Sequence, residues 1–138
     1  MSFSIIEEIG GNGLQVVRPF ASGEKVIELS GKWVSSPTKY TIQLGPDKHL
    51  EPTDHQWAMI NHSCAPNLRV DCEASVMIAI RDIAPGETLS FNYLSTEWDM
   101  ATPFSCACQA KNCYQTISGA KYLKSEQRQL IQAWPFKA

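Results

Sequence analysis

Apolar residues along this chain come in short runs closed by glycine, proline or charged groups, without the three-to-four spacing of a long amphipathic helix until the last part of the chain. Gln15-Val16-Val17-Arg18 is apolar and β-branched and follows a glycine-rich turn over residues 9–14, so it predicts a strand. Residues 25–29 (Lys-Val-Ile-Glu-Leu) and 40–44 (Tyr-Thr-Ile-Gln-Leu) predict two more, ended by Ser30-Gly31 and Gly45-Pro46. Residues 76–80 form a continuous apolar stretch of the buried-strand kind, and Pro85-Gly86 turns the chain into another strand at 88–91. Helical signals are fewer. Asp54 is placed to cap a short turn through residues 55–59. Residues 125–134 join strong helix formers to an apolar edge at Leu123, Leu130, Ile131 and Trp134, and Pro135 stops them. No repeat, heptad run or low-complexity tract is visible. Many short strands with scattered small helices predict one β-rich domain.

Composition narrows the class. A length of 138 residues corresponds to one domain. With 43% apolar and 19% charged residues the chain reads as soluble and globular, and no window approaches the ~18 apolar residues of a membrane span, so no membrane partner is expected. The N-terminal residues lack the basic and long apolar regions of a secretory signal, which places the expected location inside the cell, in cytoplasm or nucleus. A formal charge of −2 with scattered Lys and Arg gives no basic stripe, which disfavours nucleic acid as the main ligand and tolerates a basic peptide.

In a reducing compartment, clustered cysteines are more often metal ligands than disulfides, and the five cysteines leave one unpaired in any disulfide scheme. Cys106, Cys108 and Cys113 can wrap one tetrahedral ion and leave a fourth position to a distant ligand, for which Cys64 is the candidate; Zn2+ is the ion this set predicts. Cys72, outside the cluster, reads as a small buried hydrophobe. Such a metal would tie the C-terminal part of the chain to its middle, placing Asn61, His62 and residues 87–93 around one cavity.

The loop Asn61-His62-Ser63-Cys64 offers an amide, an imidazole and a thiol in succession. A serine hydrolase is excluded, because there is no Gly-x-Ser-x-Gly elbow and adjacent Ser and His cannot form the required pair. His62 alone reads as a structural, hydrogen-bonded histidine. Gly11-Asn12-Gly13 permits close backbone approach but follows no predicted strand and opens no helix, so alone it reads as an ordinary turn. Residues 87–93 read as a strand with Leu89, Phe91 and Tyr93 on one face, and a buried Tyr93 phenol needs a polar partner.

Taken in order, these motifs resemble those of the SET-domain protein lysine methyltransferases, and the likeness covers almost the whole chain. Gly11-Asn12-Gly13 with Gly23-Glu24 and residues 28–31 resembles the family's N-terminal cofactor motif and the strand after it. Residues 61–67, Asn-His-Ser-Cys-Ala-Pro-Asn, match its central signature without a gap. Residues 86–93 follow in place, and Phe104-Ser-Cys106-Ala-Cys108 with Cys113 is similar to its post-SET zinc motif.

The resemblance implies a mainly β fold with small helices: a β-clip-like set of short sheets with a pseudoknot-like crossing and a C-terminal helix. It divides the chain into a SET core (1–103), a post-SET zinc-binding segment (104–120) and a helical tail (121–138). It implies S-adenosyl-L-methionine, held around Gly11, Asn12, Gly13, Leu14, Tyr40, Asn61 and His62, beside Zn2+ on Cys64, Cys106, Cys108 and Cys113. The implied activity is methyl transfer to a lysine side-chain amine of a histone or another protein, the lysine entering through a narrow channel from the opposite side. Tyr93 falls on the catalytic tyrosine. Phe91 falls where phenylalanine leaves room for di- or trimethylation.

Two departures carry a second reading. Leu29 stands where many members have another channel tyrosine, and Ala58-Met59 replaces the usual Arg-Phe. They fit a catalytically weak, SET-like, zinc-containing protein-interaction module, whereas Asn61, His62 and Tyr93 together favour the enzyme. The chain reads as a minimal catalytic unit. Trp57, Trp98 and the C-terminal helix are expected at channel or dimer surfaces, a homodimer being one arrangement open to so small a unit, and Tyr114 and Ile117 are expected to close the tail over the cofactor.

Overall fold

Turn-forming residues interrupt each apolar run, and the strands are correspondingly short. The computed structural model describes residues 2–8, 11–53 and 55–133. The strands are β1 (Phe3–Glu8), β2 (Gly11–Val16), β3 (Lys25–Glu28), β4 (Gly31–Val34), β5 (Ile42–Gly45), β6 (Lys48–Pro52), β7 (Asn61–His62), β8 (Leu68–Asp71), β9 (Val76–Ala79), β10 (Ser90–Phe91), β11 (Phe104–Ser105) and β12 (Thr116–Ile117). Two short helices join them, α1 (His55–Ala58) and α2 (Ser125–Leu130). The strands form three-stranded sheets β3-β9-β8 and β4-β6-β5 and the pairs β1-β2, β7-β10 and β11-β12. The mainly β expectation holds.

Gly11, Asn12 and Gly13 differ from expectation. They belong to β2, paired antiparallel with β1 in the register Glu8↔Gly11 to Phe3↔Val16. The sequence reading had no strand before these glycines; residues 3–8 supply one, and its backbone groups capture the glycine segment. Asp54, Trp134 and Pro135, expected to bound the two helices, lie outside the described residues. Helix α2 ends sooner than expected: Gln132 takes a left-handed φ of 56°, which an α-helix cannot continue through. Leu130, placed on the apolar edge, is 82% exposed.

The main core gathers Leu14, Val16, Ile27, Leu68, Met77 and Leu89 from β2, β3, β8, β9 and the approach to β10. Leu29 and Trp57 belong to it, and the Trp57 indole N–H donates to the Ser30 carbonyl at 3.1 Å. Trp57 is therefore a packing residue and no dimer surface, because its ring and its one donor are both satisfied inside. Trp98 is partly exposed, with the Arg128 guanidinium 5.5 Å from its ring. A second cluster, centred on Cys64, Leu94 and Ile117, packs the tail against the body.

Two turns have the same construction, Arg18-Pro-Phe-Ala-Ser-Gly-Glu24 and Arg81-Asp-Ile-Ala-Pro-Gly-Glu87. In each, the arginine pairs with the glutamate at 3.0 Å. Each glutamate also accepts a backbone N–H, from Ala21 and Ala84 respectively. Gly23 and Gly86 hold φ values of 87° and 92°, a region costly for side-chain-bearing residues. The turns meet face to face, Phe20 and Ile83 exchanging backbone hydrogen bonds of 2.9 and 2.8 Å. This internal likeness is a repeat that hydrophobic patterning does not reveal, since its signal lies in polar and glycine positions.

Candidate active site and metal centre

The loop after α1 is held by its own polar side chains. β7 lies parallel to β10, with Asn61 opposite Ser90 and His62 opposite Phe91. The Ser63 N–H extends the pairing to the Phe91 carbonyl at 3.1 Å. Asn67, only 2% exposed, donates to the Thr88 carbonyl and accepts from the Ser90 N–H, both at 2.9 Å. Neither β7 nor β10 is long enough to hold itself; Asn67 clamps them together.

β2 meets this pair where the Asn61 side-chain amide donates to the Asn12 carbonyl at 2.7 Å. Gly11, Asn12, Gly13, Asn61 and His62 thus lie in one part of the fold. At Gly11, whose φ is 146°, an added Cβ would meet nothing within 4 Å, so that face of β2 is open to a ligand. Leu14 contributes through its backbone alone: its side chain is buried in the core and its carbonyl accepts from Leu89 N–H at 2.8 Å. Tyr40 precedes β5, half exposed, with the Lys39 ammonium 5.5 Å from its ring.

Tyr93 begins a 3-10 turn over residues 93–95, capped by the Asn92 side chain, which accepts the Leu94 N–H at 3.0 Å. Its hydroxyl donates to the Ile60 carbonyl at 2.6 Å, and its N–H donates to Nδ1 of His62 at 3.0 Å. Phe91 and His62 stand 4.8 and 5.4 Å from its ring centre, and Phe104, from β11, closes a third side at 6.0 Å. Burial, with the Glu97 carboxylate nearby, raises the phenol's pKa and keeps it protonated. Burial likewise pushes His62 down to about 4, leaving a neutral imidazole.

The four predicted metal ligands converge. The Sγ atoms of Cys64, Cys106, Cys108 and Cys113 lie within 4.8 Å of one another, Cys64 and Cys106 at 4.0 Å. Left-handed φ values at Gln109 and Gln115, 60° and 67°, turn the backbone around them. N–H groups of Tyr114 and Gln115 point at the sulfurs of Cys64 and Cys113, each at 3.4 Å, and the Asn112 side chain donates to the Cys64 carbonyl at 2.9 Å. Burial pushes the Cys64 thiol up and Cys106 up to about 11. Cys108 is pulled down to about 6, against burial, by backbone N–H groups of Ala110 and Cys64. Thiols so close cannot all ionise without a cation, and the cluster can hold a metal ion. Cys72 is separate, half-buried against the main core.

Asn67 and Phe104 stand within the motifs read from the sequence, but their contacts and that of the Ile60 carbonyl with Tyr93 emerge only in the fold. Ile117 is fully buried among the side chains of the second cluster, so it anchors the tail rather than facing an opening. Tyr114 borders a cleft of about 620 Å³ between the cysteine segment and α2, shared with Leu94, Tyr122, Leu123 and Leu130. That cleft borders the cysteine cluster at Cys113 and does not include Tyr93.

The site thus joins short sheets, an Asn-His strand laid parallel to a Ser-Phe strand, and a tyrosine two residues beyond that strand. The sequence profile of the SET domain family matches residues 11–94, and the chain belongs to that family. It is 36% identical over 96 residues to Methyltransferase flvH of Aspergillus flavus, covering 67% of this chain and 53% of that protein. It is 31% identical over 132 residues to human Histone-lysine N-methyltransferase 2B, covering 80% of this chain and 5% of that one. The chain thus spans about half of the first relative and a small part of the second. Among solved structures, the methyltransferase domain of human SETMAR superposes with a TM-score of 0.65 at 22% identity, covering 85% of this chain and 58% of that one. KRYPTONITE, in a complex with mCHG DNA and SAH, gives 0.69 at 21% identity over 83% and 28%. These two likenesses show the fold.

Proposed function

We propose that this protein transfers a methyl group from S-adenosyl-L-methionine to the side-chain amine of a protein lysine. The observation that carries this reading is the Tyr93 phenol, protonated, ringed by Phe91, His62 and Phe104, and committed by its own proton to the Ile60 carbonyl. Its remaining lone pair is free to accept an N–H from an incoming amine and so to aim the nitrogen. A lysine begins near pKa ~10.4, and the apolar walls of Phe91 and Phe104 disfavour its charged form. Leu29 is buried in the core and brings no second hydroxyl to the amine. Phe91, lacking an oxygen, leaves space for a bulkier amine, which favours di- and trimethylated products.

The cofactor fits the open face of β2 and the adjoining end of β7, where the backbone of Gly11, Asn12 and Gly13 and the residues Asn61 and His62 would hold it; Tyr40 would join from beside β5. When bound, it supplies an electrophilic methyl on a sulfonium. The protein's own contribution is orientation and exclusion of water. The relatives' names, methyltransferase and histone-lysine N-methyltransferase, support the reaction class and a histone or similar protein as acceptor.

We assign Zn2+ to the cysteines. Tetrahedral Zn–S bonds of ~2.3 Å require sulfur separations of about 3.8 Å, close to the 4.0 Å between Cys64 and Cys106. Residues 104–120 then act as a zinc-binding segment that pins the tail, residues 121–138, to the core of residues 1–103.

The test is incubation of the zinc-loaded protein with radiolabelled S-adenosyl-L-methionine, a panel of histones and a cell extract. Label in lysine of one or more proteins is expected. Cofactor binding without transfer to any protein would instead indicate an interaction module.

A further inference from the structure

The His62 side chain touches both halves of the site. Its Nδ1 accepts the Tyr93 N–H at 3.0 Å. Because Nδ1 accepts a backbone N–H, it carries no proton, and the ring N–H is on Nε2. Nε2 faces Sγ of Cys64 at 3.2 Å. We propose that His62 is a positioning residue that donates its Nε2–H to the metal-bound thiolate of Cys64 while its Nδ1 holds the backbone of Tyr93, so that the metal centre sets the placement of the phenol. This deepens the methyltransferase reading and rests on the assignment of a metal to the four cysteines.

Both ring nitrogens are engaged, so a cofactor reaches His62 through its backbone and not its imidazole. Cys64 Sγ receives a second donor from the Tyr114 N–H at 3.4 Å. Two N–H groups on one thiolate withdraw charge from sulfur, and outer-shell donors of this kind change metal affinity by ~10–100-fold. The chain of contacts runs metal, Cys64, His62, Tyr93, and it is short: His62 and Cys64 are separated by Ser63 alone, and β10 brings Tyr93 alongside.

The direct test uses the unmutated protein loaded with 113Cd and labelled with 15N-histidine. The His62 ring should be protonated at Nε2 and bare at Nδ1, and its Nε2–H should show scalar coupling to 113Cd through the Cys64 sulfur. Protonation at Nδ1, or no coupling in a loaded protein, overturns the proposal while leaving the metal site standing. Failure to load any metal overturns both.

Variants separate the two ends. His62→Asn keeps an acceptor near Nδ1 and loses the thiolate donor, and His62→Gln does the reverse. His62→Asn should weaken zinc in chelator competition by ~10–100-fold and shift the sulfur-to-metal charge-transfer band of the Co2+-loaded protein to lower energy. His62→Gln should leave both nearer the wild type and displace the Tyr93 amide resonance. Identical behaviour of the two variants contradicts the assignment.

Discussion

The Tyr93 hydroxyl donates to the carbonyl of Ile60 at 2.6 Å, and Ile60 immediately precedes the Asn61-His62 strand. The phenol is therefore fixed by the same segment that is proposed to hold the cofactor. Tyr93→Phe removes the hydroxyl and the aim it gives to an amine. Turnover should fall by ~10²–10³-fold, the loss typical of one preorganised polar group, while S-adenosyl-L-methionine affinity, read by calorimetry, should change little. Equal losses in both would contradict the role given to this oxygen.

Cys64 is 3% exposed and belongs both to the metal cluster and to the apolar cluster with Leu94 and Ile117. Cys64→Ser should lower zinc content well below one ion per chain. It should also raise hydrogen exchange across residues 104–119 more than in β8 and β9, because metal binding and the packing of this segment are one free energy. Unchanged zinc content would remove Cys64 from the ligand set.

Gly119 and Gly86 both hold positive φ, 130° and 92°, but their surroundings differ. A Cβ at Gly86 meets nothing within 4 Å, whereas one at Gly119 would run into the Trp98 carbonyl. Gly86→Ala should destabilise by about 1–2 kcal/mol from backbone strain alone, and Gly119→Ala by clearly more. Urea unfolding of the two variants checks the order, and a reversed order would show that the Trp98 backbone yields easily.

His49 on β6 is buried, and its Nδ1 has no hydrogen-bond partner. Burial lowers its pKa, opposed by Asp47. With the folded value below the unfolded ~6.5, the unfolded chain binds more protons in that window, so stability rises with pH. The contribution is complete above the unfolded pKa and is lost as pH falls toward the folded value. His62, lowered to about 4, adds to the same slope. Melting temperature should drop between about pH 7.5 and about pH 5, and less steeply in His49→Leu; an unaltered slope in the variant would remove His49 from the account.

Residue chemistry was more legible in the sequence than strand pairing. Residues 61–67 and the cysteine spacing announce themselves because amides and thiols at fixed separations do one kind of work wherever they fall. β7, β10, β11 and β12, each two residues long, carry no periodicity to read. β1 was passed over because Phe3-Ser-Ile-Ile-Glu-Glu alternates poorly, yet it converts the expected glycine turn into a strand. Phe104 lies on β11, paired with β12, and its ring stands 6.0 Å from that of Tyr93, a relation invisible until the chain is folded.

The contacts that build the site join residues far apart in sequence: 31 positions for Tyr93 to His62, 33 for Tyr93 to Ile60, 42 for Cys64 to Cys106 and 49 for Asn61 to Asn12. Each closes a long loop whose entropy must be met before the contact gives anything back. The β7-β10 pair, 29 positions apart from Asn61 to Ser90, and the β3-β9 pair of the larger sheet, 53 apart from Lys25 to Ile78, both carry that cost. A chain stopped before Cys106 keeps Asn61, His62 and Tyr93 but loses three of the four clustered thiols and β12, the strand partner of Phe104.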